Sequence, residues 1–251
     1  VQISNITQDL IQKTINKEAL TLSPKTVRDH HGLICAILKE ERPDFALNTT
    51  LPKQSRPNLH IPSDEDVKKL IENASGTELE IPIMLAAFGP MRRGEICALS
   101  TDCIEGNIIH VMRNMVLGSD GKWIIKSPKT FSGDRYIEFP DFVIDKLKEK
   151  QRRITLLNPD ALTCRFRRLI RSSKIEPFRF HDLRHYSASI QHALGIPDAY
   201  IMQRGGWKSD GVLKAVYRHA MDDQQKAMNQ IANSHFNELY NTKCNTNIKN
   251  P

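Results

Sequence analysis

One interruption governs how this sequence can fold. Segments of helical period cover much of the chain, but residues 107–139 abandon that period for apolar–polar alternation. NIIHVMRNMV (107–116) and KWIIKS (122–127) flank a turn marked by Gly118 and Gly121, which is the signature of a hairpin. RYIEF (135–139) supplies a third strand. From about residue 141 to 237 the helical pattern returns. The expected fold is therefore mainly α with a small antiparallel β-sheet set inside it, of the α+β kind.

Upstream of the sheet, 7–18 and 24–40 read as two amphipathic helices, with Ser23 capping the second and Pro24 in its first turn. Two helices seldom bury enough apolar surface to fold alone. Because the chain begins at Val1, this pair reads as the later part of a helical domain begun upstream. Residues 42–60 hold three prolines and the basic residues Arg42, Lys53 and Arg56, and no helical period, so they read as an extended linker. SDED at 63–66 opens a new helix that runs to about residue 74. A second helix is expected over about 79–88 and a third from near Arg92. The expected organisation is a partial helical domain at 1–52, the end of a linker at 53–62, and a larger domain at 63–251.

Charge is unevenly shared. Residues 1–52 carry six Lys/Arg and six Asp/Glu, so the whole excess of +7 lies in 53–251. Such an excess fits a surface that docks a polyanion. The five cysteines are scattered, with no CxxC pair, and read as free thiols in a reducing cytosol rather than a zinc site or disulfide framework. No stretch approaches the ~20 apolar residues of a membrane span.

Four segments carry chemistry jointly. In AAFGPMRRGEICAL (86–99) an apolar helix ends at Gly89-Pro90, and Arg92 and Arg93 open the next helix with Glu95 behind them. An arginine there meets backbone N–H donors suited to an anion. In IIKSPKTFSGDRYIEF (124–139) Lys129 falls in a turn between strands. In FRFHDLRHYSAS (178–189) His181 and Arg184 are three residues apart, setting a proton-transfer group beside a planar cation that can hold two phosphate oxygens. His185 is expected to point elsewhere and be structural. In QRGGWKSDGVLKAVYRHA (203–220) a Gly-Gly turn precedes Trp207, and Tyr217 lies near the end of the following helix.

In this order the segments resemble the tyrosine recombinase, or phage integrase, family over most of 57–235. Its arginine box is matched by GPMRRGE, its hairpin lysine by Pro128-Lys129-Thr130, its HxLRHxxAS box by 181–189, and its nucleophile box by Gly206-Trp207 and then Tyr217-Arg218-His219. Phe88-Gly89-Pro90 replaces the usual Thr-Gly before the arginine, and Trp207 stands where histidine is common. The resemblance implies Arg92, Lys129, His181, Arg184, Trp207 and Tyr217 as catalytic residues. Glu95 and His219 would support them, and Arg93, Lys53 and Arg56 would contact DNA. Trp207 can donate one hydrogen bond but cannot exchange a proton, so its expected part is phosphate binding and packing.

The same resemblance implies strand cleavage through a 3′-phosphotyrosyl link, with no ATP, no metal and no other cofactor. Its partners would be duplex DNA bearing a crossover site, three further copies in a tetramer, and accessory excision or host DNA-bending proteins, all in a bacterial cytoplasm. Met228, Ile231, Phe236 and Leu239 form an apolar stripe that would dock on the chain's own domain or on a neighbour. Two other readings use similar residues: a type IB topoisomerase, and a DNA-binding regulator that has lost chemistry.

Overall fold

The computed structural model describes residues 2–54, 60–127 and 133–209, together with Gly211, Asn233, Ser234 and Asn237. It divides into two compact units, Val1–Asn58 and Leu59–Pro251.

In the first unit, α1 (Gln8–Glu18) and α2 (Pro24–Glu41) form for the local reasons their sequences give. The Thr7 side chain accepts from the Leu10 N–H, and Ser23 accepts from Thr26 N–H with Pro24 in the first turn. Ile11, Ile15, Val27 and Leu38 are buried between the helices. The segment expected as an extended linker from residue 42 behaves differently over its first half. Phe45, Leu47 and Leu51 pack back on the helix pair. Gln8 and Gln12, one turn apart on α1, accept from the N–H groups of Asn48 and Thr50 at 3.1 and 2.8 Å. Apolar residues within the linker and two glutamines that satisfy its backbone explain why it folds back. Lys53 is exposed at the end of this run.

The second unit opens with α3 (Asp64–Ala74), held by a capping box in which Ser63 and Asp66 bond each other's backbone N–H. Next, α4 (Glu80–Phe88) is apolar on nearly every face and runs through the core. The short α5 (Arg93–Ala98) follows. The strands are β1 (Ile104–Glu105), β2 (Ile108–Val111), β3 (Asn114–Leu117), β4 (Trp123–Lys126) and β5 (Arg135–Glu138). They form two antiparallel sheets rather than the one expected: β1-β2-β5, and the β3-β4 hairpin. The alternating run 107–116 is cut at Met112-Arg113. There Arg113 leaves the ladder and forks onto Asp102 at 2.7 and 3.1 Å. The hairpin turn is as expected, with Gly121 at φ +75°.

Helices α6 (Asp141–Lys148), α7 (Pro159–Ser173), α8 (Asp182–Ala193) and α9 (Asp198–Gly205) complete the described fold. α4 packs against α3, α6 and α8, β3 lies on α5, and α9 contacts both α8 and β5. One core runs through these elements, with Leu70, Ile83, Leu85, Ile96, Ile109, Ile144 and Phe166 fully buried. The architecture is mainly helical with small antiparallel sheets, the expected class. Among the described residues no helix is long and apolar enough to cross a membrane.

Candidate active site

The site is built where α4 ends. A Cβ at Gly89 would fall within the Phe139 ring, so only glycine lets the chain leave the helix this close to β5. The chain then passes Pro90 and the buried Met91 to reach Arg92, the N-cap of α5. Glu95, three residues on, accepts from the Arg92 backbone N–H at 2.8 Å and from its Nη1 at 2.7 Å. The Arg92 Nη2 donates to the Gly206 carbonyl at 2.7 Å. Arg92 keeps 38% of its side chain exposed.

Arg184 sits in the first turn of α8 and is 1% exposed. Its Nη1 donates to the Pro90 carbonyl, just ahead of Arg92. The Trp207 ring covers its guanidinium, with Cζ 3.9 Å from the ring centroid. Its Nε and Nη2 are buried without a protein partner. Burial, and then the charge of Arg92, pull its pKa well below the ordinary arginine value. A buried fork with two unpaired donors, beside a second guanidinium, favours an anion.

His181 occupies the N-cap position of α8 at the cleft edge without a side-chain capping bond, and the residue is exposed. Its pKa is lowered to about 4, first by desolvation and then by the charges of His185 and Arg184. The imidazole is therefore neutral at pH 7 in the free chain, and the same desolvation makes it a weaker base than a fully solvated histidine. His185 does not point elsewhere as the sequence had led us to expect. Its buried ring meets that of His181 edge-on, with centroids 4.9 Å apart, because residues four apart share a helical face. Its Nδ1 is buried without a partner.

A cleft of about 780 Å³ opens beside these groups, with Arg92, Arg93, Arg167, Arg179 and His181 in its walls. Arg93 reaches Thr163 Oγ1 at 2.9 Å and stands 3.7 Å from Asp160. Arg179 holds Asp182 at 2.7 Å. The cleft floor is fixed by Gly94, where a Cβ would strike the Asn114 side chain and the Met115 carbonyl, so β3 lies directly on α5.

The structure thus brings Arg92, Glu95, His181, Arg184 and Trp207 together, with Arg93 on the cleft wall. Lys53 lies in the other unit. Lys129, Tyr217, His219, Arg56 and the apolar stripe at 228–239 lie outside the described residues. Arg167, Arg179 and above all Arg135 were missed in the sequence. Arg135 is 3% exposed and pairs with Glu95 through Nη2–Oε2 at 2.8 Å and Nη1–Oε1 at 3.1 Å. The signal was present: alternation puts Arg135 on the same face of β5 as the buried Ile137. Burial alone would raise the Glu95 pKa, but Arg135 and then Arg92 outweigh it and hold the carboxyl below its usual range. Four described cysteines are free thiols; Cys97 and Cys103 are buried, Cys35 is partly buried and Cys164 is exposed. Among the described residues no three His, Cys, Asp or Glu side chains cluster as metal ligands would.

Comparison with known proteins identifies the family and the fold. The family model described as the phage integrase family matches residues 63–224, well over half the chain. The fold is similar to that of the Tn1549 transposon integrase in complex with transposon right end DNA. That match has a TM-score of 0.74 and 16% identity, over 92% of this chain and 87% of that one. It is also similar to XerH site-specific recombinase bound to palindromic difH substrate, with a TM-score of 0.63 and 16% identity over 90% and 72% of the two chains. A lambda integrase tetramer bound to a Holliday junction matches with a TM-score of 0.62 and 19% identity, over 86% and 66%. No curated protein matches this sequence. The chain belongs to the phage integrase family, that of the tyrosine-type site-specific DNA recombinases.

Proposed function

We propose that this recombinase integrates or excises a mobile DNA element by cutting and rejoining duplex DNA at a crossover site, with Tyr217 as nucleophile. The observation that carries the reading is the Arg184 fork. It is buried, leaves Nε and Nη2 unpaired, and lies beside Arg92. Burying a cation with one hydrogen bond is costly unless an anion completes it. A phosphodiester in attack gathers negative charge on its two non-bridging oxygens, which two guanidinium groups are suited to stabilise.

Roles follow from chemistry. A free phenol with a pKa near ~10 is mostly protonated at neutral pH; His181, neutral in the free chain, is the proposed acceptor for its proton once the charge of a bound phosphate raises its basicity. Attack by Tyr217 on phosphorus forms the 3′-phosphotyrosyl bond and breaks the bond to the 5′ oxygen, which takes a proton on leaving; Lys129 is the proposed donor. A 5′-hydroxyl from another strand reverses the step. The phosphotyrosyl bond conserves the energy of the one broken, so the scheme calls for neither ATP nor a metal. Trp207 and Glu95 orient the arginines, and His219 supports the phosphate. Arg93, Lys53 and Arg56 contact DNA along the cleft and linker, in a bacterial cytoplasm. Exchange between two duplexes calls for four active sites, hence a tetramer on DNA, with accessory excision or host DNA-bending proteins as further partners.

The test is a nicked suicide duplex, on which the cleaved end diffuses away and the adduct accumulates. The wild-type chain should give a covalent adduct and Tyr217→Phe none, while both bind the duplex. An adduct from the Phe variant would reject the assignment. Lys129→Ala should regain cleavage on a substrate whose leaving oxygen is sulfur, since a thiolate departs without a proton. Supercoil relaxation without exchange between two sites would favour the topoisomerase reading.

A further inference from the structure

Arg135 is a buried cation that the proposed chemistry does not use. It projects from the core face of β5, and its donors tie together two separate parts of the site. Nη1 and Nη2 fork onto the Glu95 carboxylate at 3.1 and 2.8 Å. Nε donates to the Arg204 carbonyl at 2.8 Å, at the end of α9. Glu95 in turn takes Arg92 Nη1 at 2.7 Å, and Arg92 Nη2 takes the Gly206 carbonyl at 2.7 Å. The loop is closed: Arg135, Glu95, Arg92, Gly206, and back along two residues of chain to Arg204. It joins β5 to the arginine box and to the turn bearing Trp207.

We propose that Arg135 is a positioning residue for strand cleavage, which holds Glu95 between two guanidinium groups and so keeps Arg92 aimed into the cleft. Without Arg135, the Glu95 carboxylate has Arg92 as its one cationic partner and draws that guanidinium toward itself. Arg92 would then remain present but misdirected. A displacement of about 1 Å in a group that meets the reacting atoms can cost roughly 100-fold in rate.

The inference rests on the recombinase reading, and the experiment separates the two. Arg135→Lys keeps the charge but loses the fork. Single-turnover cleavage of the suicide duplex is measured at saturating protein, with the duplex Kd measured alongside. The variant should bind within about twofold of wild type and cleave about 10- to 100-fold more slowly. Two readouts distinguish aiming from general damage. On a methylphosphonate at the scissile position, where a methyl group replaces one non-bridging oxygen and leaves the linkage uncharged, the deficits of Arg135→Lys and Arg92→Lys should shrink together. The double variant should be no slower than Arg92→Lys alone, because both changes remove one function. Where Arg135→Lys fails to fold, Glu95→Gln carries the same two readouts from the middle of the chain of bonds. A rate equal to wild type, an additive double variant, or an equal loss on both substrates would overturn the proposal while leaving the recombinase reading intact. Absence of any adduct from the wild-type chain would overturn both.

Discussion

The indole of Trp207 covers the guanidinium of Arg184, 3.9 Å from Cζ to the ring centroid. The contact replaces solvent on one face of a buried cation and leaves two of its edge donors unpaired. Trp207 also joins Ile61, Ile196 and Met202 around the buried Ala188 and Ile201. Truncation to alanine removes the stacking partner and part of this small core at once. Trp207→Ala should lower the unfolding free energy by about 2–4 kcal/mol, read from urea denaturation. Trp207→Phe keeps a ring face and should lose less than half as much. Equal losses from the two would mean the stack contributes nothing.

Gly205 supports the same stack from below. A Cβ built there falls within the Trp207 six-membered ring, and Gly206 takes the left-handed backbone at φ +66°. Gly205→Ala must push the indole off Arg184, so it should destabilise by about 1–3 kcal/mol and slow adduct formation. A melting temperature matching wild type would show that the ring is free to move.

The imidazole of His181 offers a test in solution without DNA. Its pKa of about 4 lies below the ordinary histidine value, chiefly through desolvation and then His185 and Arg184. A histidine with a depressed folded value contributes stability that is complete above about pH 6.5 and fades as the pH falls toward 4. The ring signals of His181 should therefore show no titration between pH 7 and 5.5 by NMR. Bound duplex brings phosphate charge beside the ring and should raise the midpoint. A free-protein midpoint at or above 6.5 would contradict the site's electrostatics.

Much of the fold could be read from local chemistry. Ser23, Ser63 and the glycine-marked turn at 118–121 fix their elements through short-range hydrogen bonds and backbone freedom, which a sequence displays directly. The cut at Met112-Arg113 could not be read, because alternation continues through it. What divides the strand is Asp102, reached only once the chain has turned back. The pairing of Glu95 with Arg135 hides for the same reason: alternation marks Arg135 as inward-facing, but its partner stands 40 residues away and nothing local names it. Arg92, His181 and Arg184 were legible because their spacing within short boxes carries the chemistry. The His181–His185 contact was misjudged by following the three-residue spacing to Arg184 and overlooking the four-residue spacing within the same turn.

The cleft walls carry four arginines drawn from four places: Arg92 at the start of α5, Arg93 in its first turn, Arg167 on α7 and Arg179 ahead of α8. Glu95, Asp160 and Asp182 stand beside Arg92, Arg93 and Arg179 and neutralise part of that charge, while the guanidinium edges turned into the cleft keep it attractive to anions. Polyvalent anions such as sulfate or heparin will then act on the DNA-free chain as surrogate backbone, bridging the walls and raising its melting temperature more than chloride at equal ionic strength. For the purified protein, such anions in the buffer compete with duplex DNA for the same guanidinium groups.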